Sequence, residues 1–180
     1  MHIRKIHSIK KFLSKDSLKT LVNCFILSRL DYCNSLLFGI SDENLDRLQR
    51  VQNAAARLIC DVRKYDHITQ TLKDLHWLPI RYRIEYKIAL ITYKTLHGEG
   101  PEYLRNLLVP IEHQRSLRSS KRSLLKVPNY KLRYGGKRSF SFAAPTIWNS
   151  LPDELKSLNH ASFKRNLKTH LFRKAYKCSG

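Results

Sequence analysis

Residues 14–62, SKDSLKTLVNCFILSRLDYCNSLLFGISDENLDRLQRVQNAAARLICDV, decide the fold, because two amphipathic segments meet there at the short hinge Phe38-Gly-Ile-Ser41. In the first arm Leu18, Leu21, Val22, Phe25, Ile26, Leu30, Cys33, Leu36 and Leu37 recur at the spacing that lines one face of an α-helix. A strand would need alternation, and there is none. Gly39 tolerates the left-handed backbone of a helix C-cap, and Ser41 or Asp42 offers a side-chain oxygen to the free amides that open the second arm. In that arm Leu45, Leu48, Val51, Ala55, Leu58, Ile59 and Val62 form the apolar arc, with Ala54-Ala-Ala56 at its middle admitting a close partner helix. Arg47, Arg50, Arg57 and Asp61 fall outside it.

A short hinge makes the arms antiparallel and pairs positions whose numbers sum to about 81. Phe25 is then expected opposite Ala56, Val22 opposite Ile59 and Leu36 opposite Leu45, large against small or medium, as dense packing needs. Arg29 and Gln52 fall at one level near the centres of the two apolar arcs, which predicts that they satisfy each other.

Composition limits what the rest can be. The chain has 180 residues, 42% of them hydrophobic and 10% aromatic, enough for one real core or two small ones and too apolar for a wholly disordered protein. Lys and Arg number 34 against 14 Asp and Glu, leaving +20. A balance of that size makes nucleic acid the leading partner, with an anionic membrane surface as the weaker alternative. No apolar run reaches the roughly 18 residues of a membrane span; the nearest, residues 24–38, is interrupted by Arg29, Asp31 and Asn34. Met1 is followed by charged residues and no signal-peptide core, so the chain is expected to stay inside the cell.

Cys24, Cys33, Cys60 and Cys178 show no metal-binding spacing and read as free thiols; Cys24 and Cys33 are placed on opposite faces of one helix, out of reach of each other. Cys60 with His67 and His76 is the one thinkable metal cluster, against the plainer reading of ordinary side chains. No metal or cofactor is expected.

Upstream of the hairpin, Ile3, Ile6, Ile9 and Phe12 alternate with Arg4, Lys5, Lys10 and Lys11, a basic helix expected to lie against the hairpin and to continue something that begins before it. Downstream, Asp66 is a plausible N-cap for a short helix bearing Ile68, Leu72 and Leu75, ended by Trp77-Leu-Pro79. The next helix, residues 80–97, is apolar on two sides, Ile80, Ile84, Ile88 and Ile91 on one and Tyr82, Tyr86, Ala89 and Tyr93 on the other, so it is expected to be central. Its tyrosines could stack bases, but at helical spacing core is the plainer reading. Residues 98–101 break it, and Pro101 opens a short helix reaching Leu108.

Pro110 marks a change of character. Between His113 and Arg138 stand nine basic residues, Arg115, Arg118, Lys121, Arg122, Lys126, Lys131, Arg133, Lys137 and Arg138, with no acidic one and with serines, Tyr130 and Tyr134 between them. A charge run is often only a solvated loop. The absence of carboxylates favours a surface that tracks phosphates. Residues 124–127 and 131–134 are available as arms of a small β-hairpin around Pro128-Asn129. Residues 140–148 read as a short apolar helix kinked or restarted by Pro145, and Asn159 or Ser162 caps a last helix carrying Phe163, Leu167, Leu171 and Ala175, with Lys164, Arg165, Lys168, Arg173 and Lys174 outside. The expected fold is therefore mainly α: a helical hairpin or bundle with a central helix over residues 1–109, then a basic C-terminal region, residues 110–180, with that hairpin and C-terminal helices.

Paired aspartates, a nucleophile elbow, a Walker loop and a zinc signature are all missing from the sequence. Polymerase chemistry needs carboxylates that hold two metals about 3.5–4 Å apart, and no Asp-Asp pair exists here. No catalysis is assigned to the chain by itself.

Seven blocks in order, SRLDYCNSLLFG (28–39), LQRVQNAAARLI (48–59), LHWLPIRYRI (75–84), YKTLHG (93–98), RSLRSS (115–120), FAAPTIWNSLP (142–152) and FKRNLKTHLF (163–172), resemble the segment that follows the palm in reverse transcriptases of non-LTR (LINE, jockey-like) retrotransposons. The resemblance covers nearly the whole chain. It implies a thumb and C-terminal region of an RNA-directed DNA polymerase, with a template-primer as partner, palm and fingers upstream, and a nuclear and cytoplasmic location. The family's Tyr/Phe-x-Asp-Asp metal-binding motif is not in this sequence, and copies of such elements are commonly truncated, so Met1 would be an internal methionine. The expected function is sequence-independent RNA and DNA binding; an inert remnant, structural or interaction-bearing, and a free-standing basic RNA-binding protein are the alternatives.

Overall fold

The structure, a computed structural model, describes residues 2–111, 124–130 and 136–176. They are mainly α-helical, and among them the only β pairing is an isolated antiparallel bridge between Pro110 and Leu125. No helix among the described residues is long and apolar enough to cross a membrane. The chain groups into two compact units, Met1–Asn34, Ile40–Arg83 and Phe172–Gly180 in the first and Ser35–Gly39 with Ile84–Leu171 in the second. The change of sequence character at Pro110 falls inside the second.

In the first unit α1 (His2–Ile9), α2 (Lys15–Val22), α3 (Ser28–Asp31), α4 (Asp42–Cys60) and α5 (Thr69–Asp74) surround one core of Ile6, Leu18, Val22, Ile26, Leu27, Ala55, Ala56, Leu58, Ile59, Leu72 and Trp77. Ser14 caps α2 by accepting from the Ser17 amide at 3.2 Å. Asp42 and Glu43 open α4, where carboxylates suit the helix dipole, and Asp61 ends it in the left-handed conformation at φ 57°. Of the three alanines at the middle of α4, Ala55 and Ala56 are fully buried in this core and Ala54 is half-buried.

The first arm is not one regular helix. A π turn, Asn23–Leu27, separates α2 from α3, and the chain then bends at Cys33 (φ 51°) into a 3₁₀ turn, Asn34–Leu37, before Gly39 at φ 72°. The π turn takes up one extra residue and shifts everything after it around the helix by about one position. The inward side chains accordingly run Leu18, Val22, Ile26 and Leu27, with Leu30 packed at the edge of the core. Phe25 is 46% exposed and Leu36 72%, so neither takes the inward place expected of it.

Arg29 likewise faces solvent, and the expected Arg29–Gln52 pair does not form. Gln52 is fully buried and spends its amide elsewhere: its Nε2 donates to the Leu78 carbonyl at 2.9 Å, and its Oε1 accepts from Gln49 Nε2 at 2.9 Å. Gln49 in turn accepts from the Ile80 amide at 2.9 Å, holding the first turn of α6 (Ile80–Leu96). Two further expectations are corrected. Asp66 does not cap α5, which starts at Thr69 beyond its reach; its carboxylate turns back to accept from the Arg63 amide at 3.1 Å. Phe12 does not lie against the hairpin, because α1 ends at Ile9 and the tighter 3₁₀ turn Lys10–Phe12 swings the ring outward.

The second unit is built on α6, with α7 (Glu102–Arg105), α8 (Phe140–Asn149), α9 (Asp153–Lys156) and most of α10 (His160–Tyr176). Ile84, Ile88, Ala89 and Tyr93 of α6 are buried, whereas Ile91, Tyr82 and Tyr86 of its two apolar faces are only partly so. Tyr93 stacks on Phe163 with ring centroids 4.2 Å apart, and its hydroxyl donates to the Leu158 carbonyl at 2.7 Å. Trp148, Phe163, Leu167 and Leu171 complete this core, and Asn159 caps α10 by accepting from the Ser162 amide at 2.9 Å.

Candidate nucleic-acid interface

The basic segment starts from a short extended piece. Val109 accepts from the Lys126 amide at 2.8 Å and the Ile111 amide donates to Leu124 at 3.0 Å, which leaves Leu125 pointing inward and Lys126 outward, as strand alternation requires. Asn149 at the end of α8 clamps Leu125 on both backbone groups, accepting from its amide at 2.9 Å and donating to its carbonyl at 2.8 Å. Leu124–Val127, the first arm of the hairpin expected from sequence, is thus paired with the chain around Pro110; residues 131–134, its expected partner, lie outside the described residues.

Lys137 and Arg138 sit on the 3₁₀ turn Gly136–Arg138 that leads into α8, and both are exposed. Tyr130 ties the Lys126 segment to this turn. Its hydroxyl shares a hydrogen bond with Ser141 at 2.8 Å, and bonding to Ser141 and Ser139 holds the phenol below its ordinary pKa. Its ring lies so close to Gly136 that a Cβ there would stand 2.1 Å from Tyr130 Cγ. Gly136→Ala is therefore expected to destabilise by about 1–3 kcal/mol through overpacking. Tyr130→Ala would still leave a Cβ 2.5 Å away, so the penalty should vanish only in a Tyr130→Gly background when the two are compared in a double-mutant cycle by urea unfolding. The stem of Arg138 passes within 3.0 Å of where a Cβ on Gly39 would lie, a second position where only glycine fits, since Gly39 also needs positive φ.

Of the nine basic positions singled out in the sequence, then, Lys126 is exposed next to the Leu125 backbone that Asn149 holds, and Lys137 and Arg138 are exposed on the turn against which Tyr130 packs. Arg115, Arg118, Lys121, Arg122, Lys131 and Arg133 lie outside the described residues.

A second basic face was legible in the sequence but not assigned to the site. Lys164, Arg165 and Lys168 are exposed on α10 opposite buried Phe163, Leu167 and Leu171, and the helix contains no carboxylate along its 17 residues. In the first unit many cations are already engaged. Arg83 forms a two-pronged bond to Asp31, with Nε–Oδ1 at 2.7 Å, Arg81 meets Asp42 at 2.5 Å, Arg47 meets Glu43 at 2.8 Å and Lys10 meets Asp61 at 2.6 Å. The Asp31–Arg83 fork joins the end of α3 to the start of α6 and was missed in the sequence, where nothing local relates residues so far apart.

Cys24 and Cys33 are exposed free thiols and Cys60 a partly buried one, whose pKa burial pushes up. Among the described residues no group of three or more His, Cys, Asp or Glu side chains could hold a metal ion. No protein-family model, curated protein or solved structure matches the chain.

Proposed function

We propose that this chain binds RNA and DNA without reading their sequence, as the thumb and C-terminal part of a non-LTR retrotransposon reverse transcriptase whose palm and fingers lie upstream. The observation that carries the reading is the carboxylate-free run of nine cations between His113 and Arg138 on a chain of net charge +20. The seven ordered blocks supply the parent. Exposed Lys126, Lys137 and Arg138, and the basic face of α10, support it. Cations on helices and short turns contact phosphates, which position a protein on nucleic acid and carry no sequence information. The chemistry of DNA synthesis belongs to the palm, and this chain grips the duplex.

The basic run is tested against charge in general. Neutralising Arg115, Arg118, Lys121 and Arg122 together is expected to make the slope of log K against log salt shallower by roughly three to four units and to weaken binding alike across unrelated sequences. Neutralising Lys164, Arg165, Lys168 and Arg173 should change the slope less. Equal slopes for the two quadruple variants would sink the assignment to the run and leave general affinity standing. The parentage is tested by the reading frame upstream of Met1, where intact or decayed Tyr/Phe-x-Asp-Asp codons are expected.

A further inference from the structure

Two aromatic rings stand in water at the end of the first unit. Phe12 is 76% exposed and Tyr65 89%. The segments that carry them meet, since Lys10 on the 3₁₀ turn Lys10–Phe12 bonds Asp61 at the C-cap of α4 at 2.6 Å, and Leu13 and Lys15 line one open cleft with Ile59 and Cys60. The loop that presents Tyr65 is braced from within. Arg57 donates to the carbonyl of Arg63 at 2.7 Å and to that of Asp66 at 2.9 and 3.0 Å, and the Asp66 carboxylate takes the Arg63 amide. A loop held this firmly has a fixed backbone, yet its large apolar side chain is left unburied. Each ring also carries its own cation: Lys11 Nζ lies 4.9 Å from the Phe12 centroid and Lys64 Nζ 5.5 Å from the Tyr65 centroid.

We propose that this end of the first unit is a stacking platform for single-stranded nucleic acid, with Phe12 and Tyr65 receiving bases and the lysines beside them taking the adjoining phosphates. The inference rests on the nucleic-acid reading above and adds to it a surface in the first unit. An exposed ring with a neighbouring cation is the pairing that binds single strands without sequence preference: every base has a π face, and every nucleotide a phosphate. Charge agrees, since residues 4–19 and 57–66 carry nine Lys and Arg against three carboxylates, Asp16, Asp61 and Asp66, of which Asp61 is engaged by Lys10 and Asp66 by the loop amide. An anionic bilayer is the competing partner. Bilayer binding needs a continuous apolar face, whereas Lys10, Lys11, Arg63, Lys64 and Asp66 flank these rings.

The test compares the full chain with Phe12→Ala, Tyr65→Ala and the double variant, using fluorescence anisotropy of a labelled oligothymidylate, a duplex of equal length, and phosphatidylserine vesicles. Each single variant is expected to lose roughly fivefold or more on the oligothymidylate with the salt slope unchanged, because stacking releases no counterions. Duplex affinity should stay within about twofold, since paired bases are not free to stack. Phe12→Trp should keep the affinity, and its emission should be quenched on binding, which a variant with a damaged fold would not show. Oligothymidylate affinity within about twofold of the parent in the double variant would overturn the platform. So would equal losses on duplex, or a loss confined to vesicles. If the parent chain binds neither nucleic acid, the proposed function fails and the platform with it. If the parent binds and the rings make no difference, only the platform fails.

Discussion

Gln52→Ala is expected to destabilise the first unit by about 2–4 kcal/mol, more than its modest size suggests. Gln52 is fully buried, and its side chain is the partner of the Leu78 carbonyl at 2.9 Å. Removing it strands that carbonyl beside a residue that is itself only 4% exposed, and an unsatisfied buried acceptor costs about 1–3 kcal/mol before the cavity is counted. It also frees Gln49, which donates to Gln52 and Asn53 and accepts from the Ile80 amide, so the first turn of α6 loses definition. Arg29→Leu is the contrast. Arg29 lies in solvent, and its replacement should change stability by no more than about 0.5 kcal/mol. Urea unfolding with unchanged m-values decides between them. A larger loss at Arg29 than at Gln52 would restore the pairing read from helix levels.

Phe163→Ala should cost about 3–5 kcal/mol in the second unit. Phe163 is fully buried, stacked on Tyr93 at 4.2 Å and set against Trp148 at 6.1 Å, so truncation removes the centre of an aromatic cluster that helices α6, α8 and α10 share. Tyr93→Phe keeps the ring and loses only the bond to the Leu158 carbonyl, a change of about 1 kcal/mol. The ratio of the two losses, read from chemical denaturation, separates ring packing from the hydrogen bond.

Periodicity made the mainly helical fold legible. α4, α6 and α10 lie where apolar side chains recur at helical spacing, and Asn159 caps α10 as one of the two residues expected to do so. The π turn was hidden because a chain of closely spaced apolar residues reads as one helix whether or not an extra residue is inserted; only the inward choice of Leu27 over Phe25 reveals it. Arg29 and Gln52 share a level only in a regular first arm, and beyond the π turn Arg29 faces solvent instead. What Gln52 does, and what Asn149 does for Leu125, are side-chain bonds to distant backbone that no local pattern encodes. At the site, exposure of Lys126, Lys137 and Arg138 agrees with a basic surface, while the glycine that admits Tyr130 and the outward turn of Phe12 became visible only in three dimensions.

The central claim is sequence-independent binding through phosphates, and its most direct test is a salt titration of the intact chain on two unrelated duplexes and their single strands. Log K is expected to fall linearly with log salt, at about −0.9 per phosphate contacted on duplex and about −0.7 on single strands, with nearly equal affinity for the two sequences. A flat salt dependence, a strong preference for one sequence, or no binding at low salt would contradict it.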